Sequence, residues 1–148
     1  MTMLVVMFQS VTYANAESTI YIFQRSVGLV ATTYSINNKF VGTFNEIKKA
    51  VSKPHKTFIY SAGKQKCILK SEGKAIVMVS GDYIEDGETK KDYWMAEIQV
   101  NLTDGSVHYI KLSPKGFNNC QLKEIKEEEA LKLLKDDKYS WRPEYIEE

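Results

Sequence analysis

The chain has 148 residues, a length suited to one domain around a single core, and its 43% hydrophobic and 26% charged residues exclude a disordered or fibrous chain. Twenty Lys and Arg against 19 Asp and Glu leave a net charge of +1, so there is no electrostatic ground for a nucleic-acid partner or an anionic membrane surface. Eight glycines and three prolines exclude collagen-like and linker-like chains.

Residues 1–16 carry no charge. Met3, Leu4, Val5, Val6, Met7 and Phe8 form an apolar run, and Ala14-Asn15-Ala16 places small residues at the two positions a signal peptidase reads, just before Glu17. The pattern predicts the tail half of a signal peptide over 1–16, its basic part missing, as when a start codon is set at an internal methionine. The mature chain then begins at Glu17. The alternative is an apolar N-terminal strand of a cytosolic protein. The cleavage point has no cysteine, so the lipid-anchor signal of a bacterial lipoprotein is lacking, and no later window is long and apolar enough to span a bilayer. Export makes a disulfide between Cys67 and Cys120 the expectation, worth about 4 kcal/mol in the chain-entropy account. Two buried reduced thiols are the alternative.

From Thr19 the pattern has period two and is rich in β-branched and aromatic residues. Thr19 to Gln24 is apolar on both sides, as in a central strand. Ala31 to Ile36 and Phe40 to Phe44 flank Asn37-Asn38-Lys39, a tight hairpin because asparagine tolerates positive φ. Glu46 to Val51 suits one helical turn ended before Pro54. Thr57 to Ala62 is a further strand. Lys66 to Lys70 and Lys74 to Ser80 flank Ser71-Glu72-Gly73, another hairpin-type turn. Gly81 to Lys91 is polar enough for a surface loop.

Trp94, Ala96, Ile98, Val100 and Leu102 alternate with Tyr93, Met95, Glu97, Gln99 and Asn101, so the first set faces a core. Asp104-Gly105 signals a hairpin into Val107 to Leu112. Cys120 to Ile125 is a last strand. Glu127 to Lys135 then changes period, with Ala130, Leu131, Leu133 and Leu134 on one helical face and three acids at the positive end of the dipole. The fold predicted is mainly β: an antiparallel two-sheet sandwich or partly open barrel over 17–135 with one C-terminal helix. Residues 136–148 form a polar, aromatic tail that is either an ordered arm or a loose end.

Candidates for chemistry are few. His55 lies in the polar stretch Lys53 to Lys56, as a solvated residue would. His108 shares a strand face with Ile110 and Leu112, where a half-buried, hydrogen-bonded histidine is the ordinary case. A Cys–His nucleophile or a metal site would need Cys67, Cys120 and His108 together, but their spacing resembles no metal motif. Asp82, Glu85, Asp86 and Glu88 lack the order of an EF-hand. No phosphate-cradling loop or cofactor signature is present. Surfaces remain: Tyr34, Tyr60, Tyr83, Tyr93, Tyr139, Trp141 and Tyr145 fall in predicted loops, strand ends or outer faces, and aromatics of this kind serve recognition. Tyr83, Tyr93, Tyr139, Trp141 and Tyr145 are the expected binding surface.

The order of features resembles uncharacterised bacterial envelope proteins, many of them lipoproteins, whose domain opens with a Tyr-x-Phe-Arg strand. Here that strand reads Tyr21-Ile22-Phe23-Gln24-Arg25, with the arginine displaced by one. The family's Gly-Lys-x-Val-Gly element reads Asn38-Lys39-Phe40-Val41-Gly42, and its Pro-Gly-x-His turn is replaced by Ser61-Ala62-Gly63-Lys64. Its Gly-x-x-Tyr-Tyr strand becomes Gly105-Ser106-Val107-His108-Tyr109-Ile110, and Glu129-Ala130-Leu131 matches the closing helix. The likeness spans about Thr19 to Leu134. It implies a β-sandwich in the envelope, no established activity and no catalytic residues to carry over. Without a lipobox cysteine, this chain is expected free in the periplasm or secreted.

The leading expectation is therefore an exported, non-enzymatic β-sandwich that binds a protein or envelope component, without cofactor, nucleic acid or membrane span. One rival is a small inhibitor or immunity-type protein using the 81–91 segment and Tyr83. The other is a small hydrolase or metal enzyme built on Cys67, Cys120 and His108.

Overall fold

The structure is a computed structural model, and it describes residues 17–25, 30–44, 46–49, 57–60, 62–85, 88–115 and 119–148. The expected signal segment 1–16, His55 and the Asp86-Gly87 dipeptide lie outside the described residues. Twelve strands are described in chain order: β1 (Ser18–Gln24), β2 (Val30–Ile36), β3 (Lys39–Phe44), β4 (Glu46–Lys49), β5 (Thr57–Tyr60), β6 (Gly63–Leu69), β7 (Gly73–Glu85), β8 (Glu88–Leu102), β9 (Val107–Pro114), β10 (Cys120–Glu124), β11 (Ser140–Trp141) and β12 (Tyr145–Ile146). One helix, α1 (Glu127–Lys135), lies between β10 and β11.

The strands form two main sheets that do not close into a barrel. One has six strands in the order β10-β9-β1-β6-β11, with β12 also on β6; the other is β3-β2-β7-β8. A separate two-stranded ribbon joins β4 to β5. The six-stranded sheet is mixed, because β1 runs parallel to β9, and β11 and β12 run parallel to β6. Ile20, Ile22, Cys67, Leu69, Ile110 and Leu112 from this sheet meet Tyr34, Val77, Val79, Trp94, Val100 and Leu102 from the other in one apolar core. Alternation along the strands makes that possible, since each strand turns every second side chain inward. Among the described residues, no helix is long and apolar enough to cross a membrane.

The β2–β3 hairpin forms at the expected asparagines, whose φ values of 51° and 65° match the twist a two-residue hairpin needs. Elsewhere the connections differ from expectation. Ser71-Glu72-Gly73 and Thr103-Asp104-Gly105 are not hairpins: each carries the chain from one sheet to the other, β6 to β7 and β8 to β9. Gly73 and Gly105 do adopt positive φ, so the turn chemistry is present while the pairing it suggests is not. Glu46 to Lys49 is a strand rather than a helical turn, because β4 gains a full ladder against β5. One isolated turn of helix fixes as many dihedrals for a single bond.

Residues 81–85 and 88–91 are also strand: β7 and β8 stay paired out to Glu85 opposite Glu88, past an irregularity between Gly81 and Tyr83. The backbone of these residues is a ladder instead of the expected loop. The predicted helix is present over its expected span, with Ala130 fully buried, Leu133 and Leu134 half-buried and Leu131 exposed. The C-terminal tail is an ordered arm. Its strands β11 and β12 lie along the outer edge of β6, supplying part of the pairing that an edge strand otherwise leaves open. The arm approaches closely at Gly63, where a Cβ would stand 2.8 Å from Nε of Arg142 and 3.1 Å from the carbonyl oxygen of Ser140.

Candidate binding face

The outer face of the six-stranded sheet carries the aromatic residues. On β1, Ile20 and Ile22 point into the core, so Tyr21 and Phe23 point outward. Parallel pairing sets Tyr21 opposite Tyr109 on β9. Their rings stack with centroids 5.5 Å apart and planes 14° apart, and Phe23 continues the stack 6.4 Å from Tyr21 at 17°. These offset, nearly parallel arrangements are the ones ring quadrupoles favour.

Half of this face is covered. Helix α1 lies over Phe23, which is buried with Ala130 and Tyr139. Lys111 on β9 ties the helix to the sheet through Glu129, with Nζ to Oε1 at 3.3 Å. The rest is open. Trp141 on β11 tilts 58° to Tyr21 at 6.5 Å and is 54% exposed, and Val107 and Ile146 are exposed on the same face in a row four residues further along the strands. Thr19 pairs with both Ile68 and Val107, and Ile68 pairs with Ile146, so these residues form one row across the sheet. Lys66 stands opposite Tyr21 on β6. Burial, then the Glu127 carboxylate and Tyr21, raise the pKa of Tyr109, so its hydroxyl stays a protonated donor throughout the neutral range.

Lys64 organises the boundary between the covered and open halves. Its ammonium lies 5.0 Å from the Trp141 ring centroid and donates to the carbonyl oxygen of Leu134 at 2.6 Å. The carbonyls of Leu133 and Asp136 are each 3.4 Å away.

The sequence-predicted surface is redistributed. Trp141 is on the open face. Tyr139 is buried beneath the helix, and Tyr145 turns toward the sandwich core, so neither offers a free ring. Tyr34 is fully buried and donates to Gln24 Oε1 at 2.6 Å. Tyr83 and Tyr93 lie on β7 and β8, but their side chains are outside the described residues. Sequence reasoning missed Tyr21 and Tyr109. Alternation opposite Ile20, Ile22 and Ile110 could have pointed both outward, but their contact depends on a parallel register between distant strands.

The proposed chemical cluster is not assembled. Cys67 and Cys120 are free thiols, which corrects the expected disulfide. In the order β10-β9-β1-β6 three strand spacings separate them, ~14 Å sideways alone, whereas a bridge needs Cα atoms within ~7 Å. Burial, and secondarily Glu144, push the Cys67 thiol up to about 12, and burial raises Cys120 as well. Both changes disfavour a nucleophilic thiolate.

His108 shares a row with Cys67 but Ile20 stands between them, putting their backbones ~10 Å apart. Its ring is engaged structurally: Nε2 donates to the carbonyl oxygen of Asn101 at 2.9 Å, and Nδ1 lies 3.2 Å from Glu124 Oε2. The ring thus links β9 in one sheet to β8 in the other. Among the described residues no three His, Cys, Asp or Glu side chains are grouped to hold a metal ion. A shallow groove of about 420 Å³ between β10 and α1 is lined by Lys123, Lys126, Lys132, Glu124, Glu128, Glu129 and Ile125, with balanced charge.

A comparison with protein-family models finds no match, and a comparison with curated proteins finds none.

Proposed function

We propose that this protein is an exported, non-enzymatic β-sandwich that binds a protein or envelope component through the open part of its outer sheet face. The observation that carries the reading is the stacked Tyr21–Tyr109 pair beside the exposed ring of Trp141, with Val107 and Ile146 at its border. Rigid aromatic rings held on adjacent strands lose little entropy on binding and offer both apolar area and hydroxyl donors. Lys66, opposite Tyr21 on the same face, favours a partner with acidic groups around an apolar centre. Export is supported by the uncharged 1–16 segment ending in Ala14-Asn15-Ala16, and the resemblance to envelope proteins points the same way.

Two measurements test this reading. Intact mass of the protein from its native host should show a chain beginning at Glu17; retention of residues 1–16 would remove export. Binding to envelope extract and to isolated cell-wall polymer is then compared for the natural chain and the Tyr21→Ala, Trp141→Ala double variant. Loss of a saturable binder in the variant alone supports the face, and equal binding by both chains removes it.

A second reading, an inhibitor-type protein, draws on the β7–β8 ribbon, paired as far as Glu85 and Glu88. Such a ribbon suits insertion into a partner's cleft, and Tyr83→Ala would then abolish binding while the Tyr21, Trp141 variant retained it.

A further inference from the structure

The turn between β8 and β9 does something its role as a sheet crossing does not require: it clasps the residue before β1 from both sides. The carbonyl oxygen of Glu17 accepts from the N–H of Gly105 at 2.7 Å, and the N–H of Glu17 donates to Asp104 Oδ1 at 3.1 Å. Thr19 N–H then bonds to Ser106 O at 2.9 Å, which continues into the β1–β9 ladder. The turn is braced internally, with Ser106 N–H on Thr103 O at 2.9 Å and Thr103 N–H on Ser106 Oγ at 3.1 Å. Gly105, at φ +78°, supplies the left-handed position that lets Asp104 reach forward.

A carboxylate is a strong acceptor to spend on an exposed amide that water could serve equally well. It becomes the right group if the nitrogen of Glu17 is charged. The sequence supplies an independent reason for that, because Ala14-Asn15-Ala16 ends at this nitrogen. Resting on the exported reading above, we infer that Asp104 is the docking site for the α-ammonium that processing creates at Glu17. The step is hydrolysis by an endopeptidase that reads small residues. The Ala16–Glu17 C–N bond breaks, water supplies the oxygen of the new Ala16 carboxylate, and the Glu17 nitrogen leaves as an amine that protonates at neutral pH. The amide-to-carboxylate hydrogen bond thereby becomes an ammonium–carboxylate pair, and the cleaved end is fastened to the turn that starts β9.

The test is a thermal cycle on four proteins: the full chain and the chain beginning at Glu17, each with Asp104 or with Asp104→Asn. All described elements lie from Glu17 onward, so both chains contain every one of them. Asparagine still accepts from an amide, so the substitution should leave the full chain nearly unchanged. In the Glu17 chain it should lower the unfolding midpoint by about 1–4 °C at low ionic strength, an effect 0.5 M salt removes. A Glu17 chain acetylated on its α-nitrogen repeats the test without altering the turn, and should show the same loss.

Equal effects of Asp104→Asn on both chains would overturn the inference, as would acetylation without effect. The cycle uses defined N-termini, so it is independent of the native processing site. A positive cycle with a native chain left uncut would overturn both the inference and the exported reading, and a native chain cut elsewhere would overturn the inference alone. A negative cycle with a native Glu17 terminus would overturn the inference alone.

Discussion

The ammonium of Lys64 lies 2.6 Å from the carbonyl oxygen of Leu134, so a strand of the six-stranded sheet supplies the positive charge at the C-terminal end of α1. The helix has no left-handed residue there: Asp136, with φ −81° and ψ 116°, is extended and turns its N–H back to Leu133 O. Lys64 therefore replaces the usual glycine cap with a side chain from outside the helix. Only 4% of the residue is exposed, and its backbone carbonyl also accepts from the Arg142 N–H at 2.8 Å. Helix, sheet and C-terminal arm meet at this one residue.

Lys64→Met should accordingly destabilise the protein by about 2 kcal/mol, the range for a lost hydrogen bond to a charged group, with Leu134 O left uncapped. Urea unfolding would give a lower midpoint with an unchanged slope. Faster amide exchange at Arg142 should accompany it, since the arm keeps its backbone bond to residue 64 but loses the ammonium's contact with the Trp141 ring; an unaffected arm would count against the shared role.

Gly81→Ala tests the irregularity in β7. A Cβ at Gly81 would stand 2.4 Å from Cε2 and 2.7 Å from Cζ2 of Trp94, a ring buried in the core. Overpacking of this kind costs about 1–3 kcal/mol. The thermal midpoint should fall, and restoring the space with Trp94→Leu in the same chain should recover part of the loss.

Glu147 should give the arm a pH dependence. Burial acts to raise its pKa, but bonds from the N–H groups of Lys70 and Ser71, each 2.9 Å from Oε1, and the charge of Lys39 prevail and hold it below the ordinary carboxyl value. A carboxyl lowered on folding contributes stability that is fully present above its unfolded pKa and is lost as pH falls through the folded value. The contribution is small because the group is largely solvated. In an NMR titration, the amide shifts of Lys70 and Ser71 should therefore move with a midpoint below that of an ordinary glutamate, and Glu147→Gln should abolish that transition.

Thiol chemistry checks the corrected cysteine assignment. Under native, non-reducing conditions both thiols should alkylate, Cys120 first and Cys67 only as fast as the fold opens. A single mass two daltons lower, with no alkylatable thiol, would restore the disulfide.

Local chemistry was legible in the sequence where it acts locally. Asn37-Asn38 specified a hairpin because the two residues that need positive φ also join the two strands that pair. Gly73 and Gly105 carry equally good turn chemistry, yet a turn says nothing about whether the next strand returns to its neighbour or crosses the sandwich. That choice belongs to the core, which takes β6 and β9 into one sheet and β7 and β8 into the other. The charges of 81–91 read as a loop because polar residues on a long ribbon look the same as polar residues without one. Trp141 was recognisable by type alone. The Tyr21–Tyr109 stack was hidden, because it depends on the parallel register of β1 with β9, which no short-range pattern encodes.

The arm along β6 also orders events during synthesis. β6 can pair with β1 soon after both are made, but its other edge stays bare until Ser140 to Ile146 emerge. At ordinary elongation rates that interval is on the order of ten seconds, long enough for an unpaired strand to meet another chain. Completion of this sheet therefore waits for Ser140 to Ile146, and copies of the chain that meet before the arm docks are the ones most exposed to mispairing.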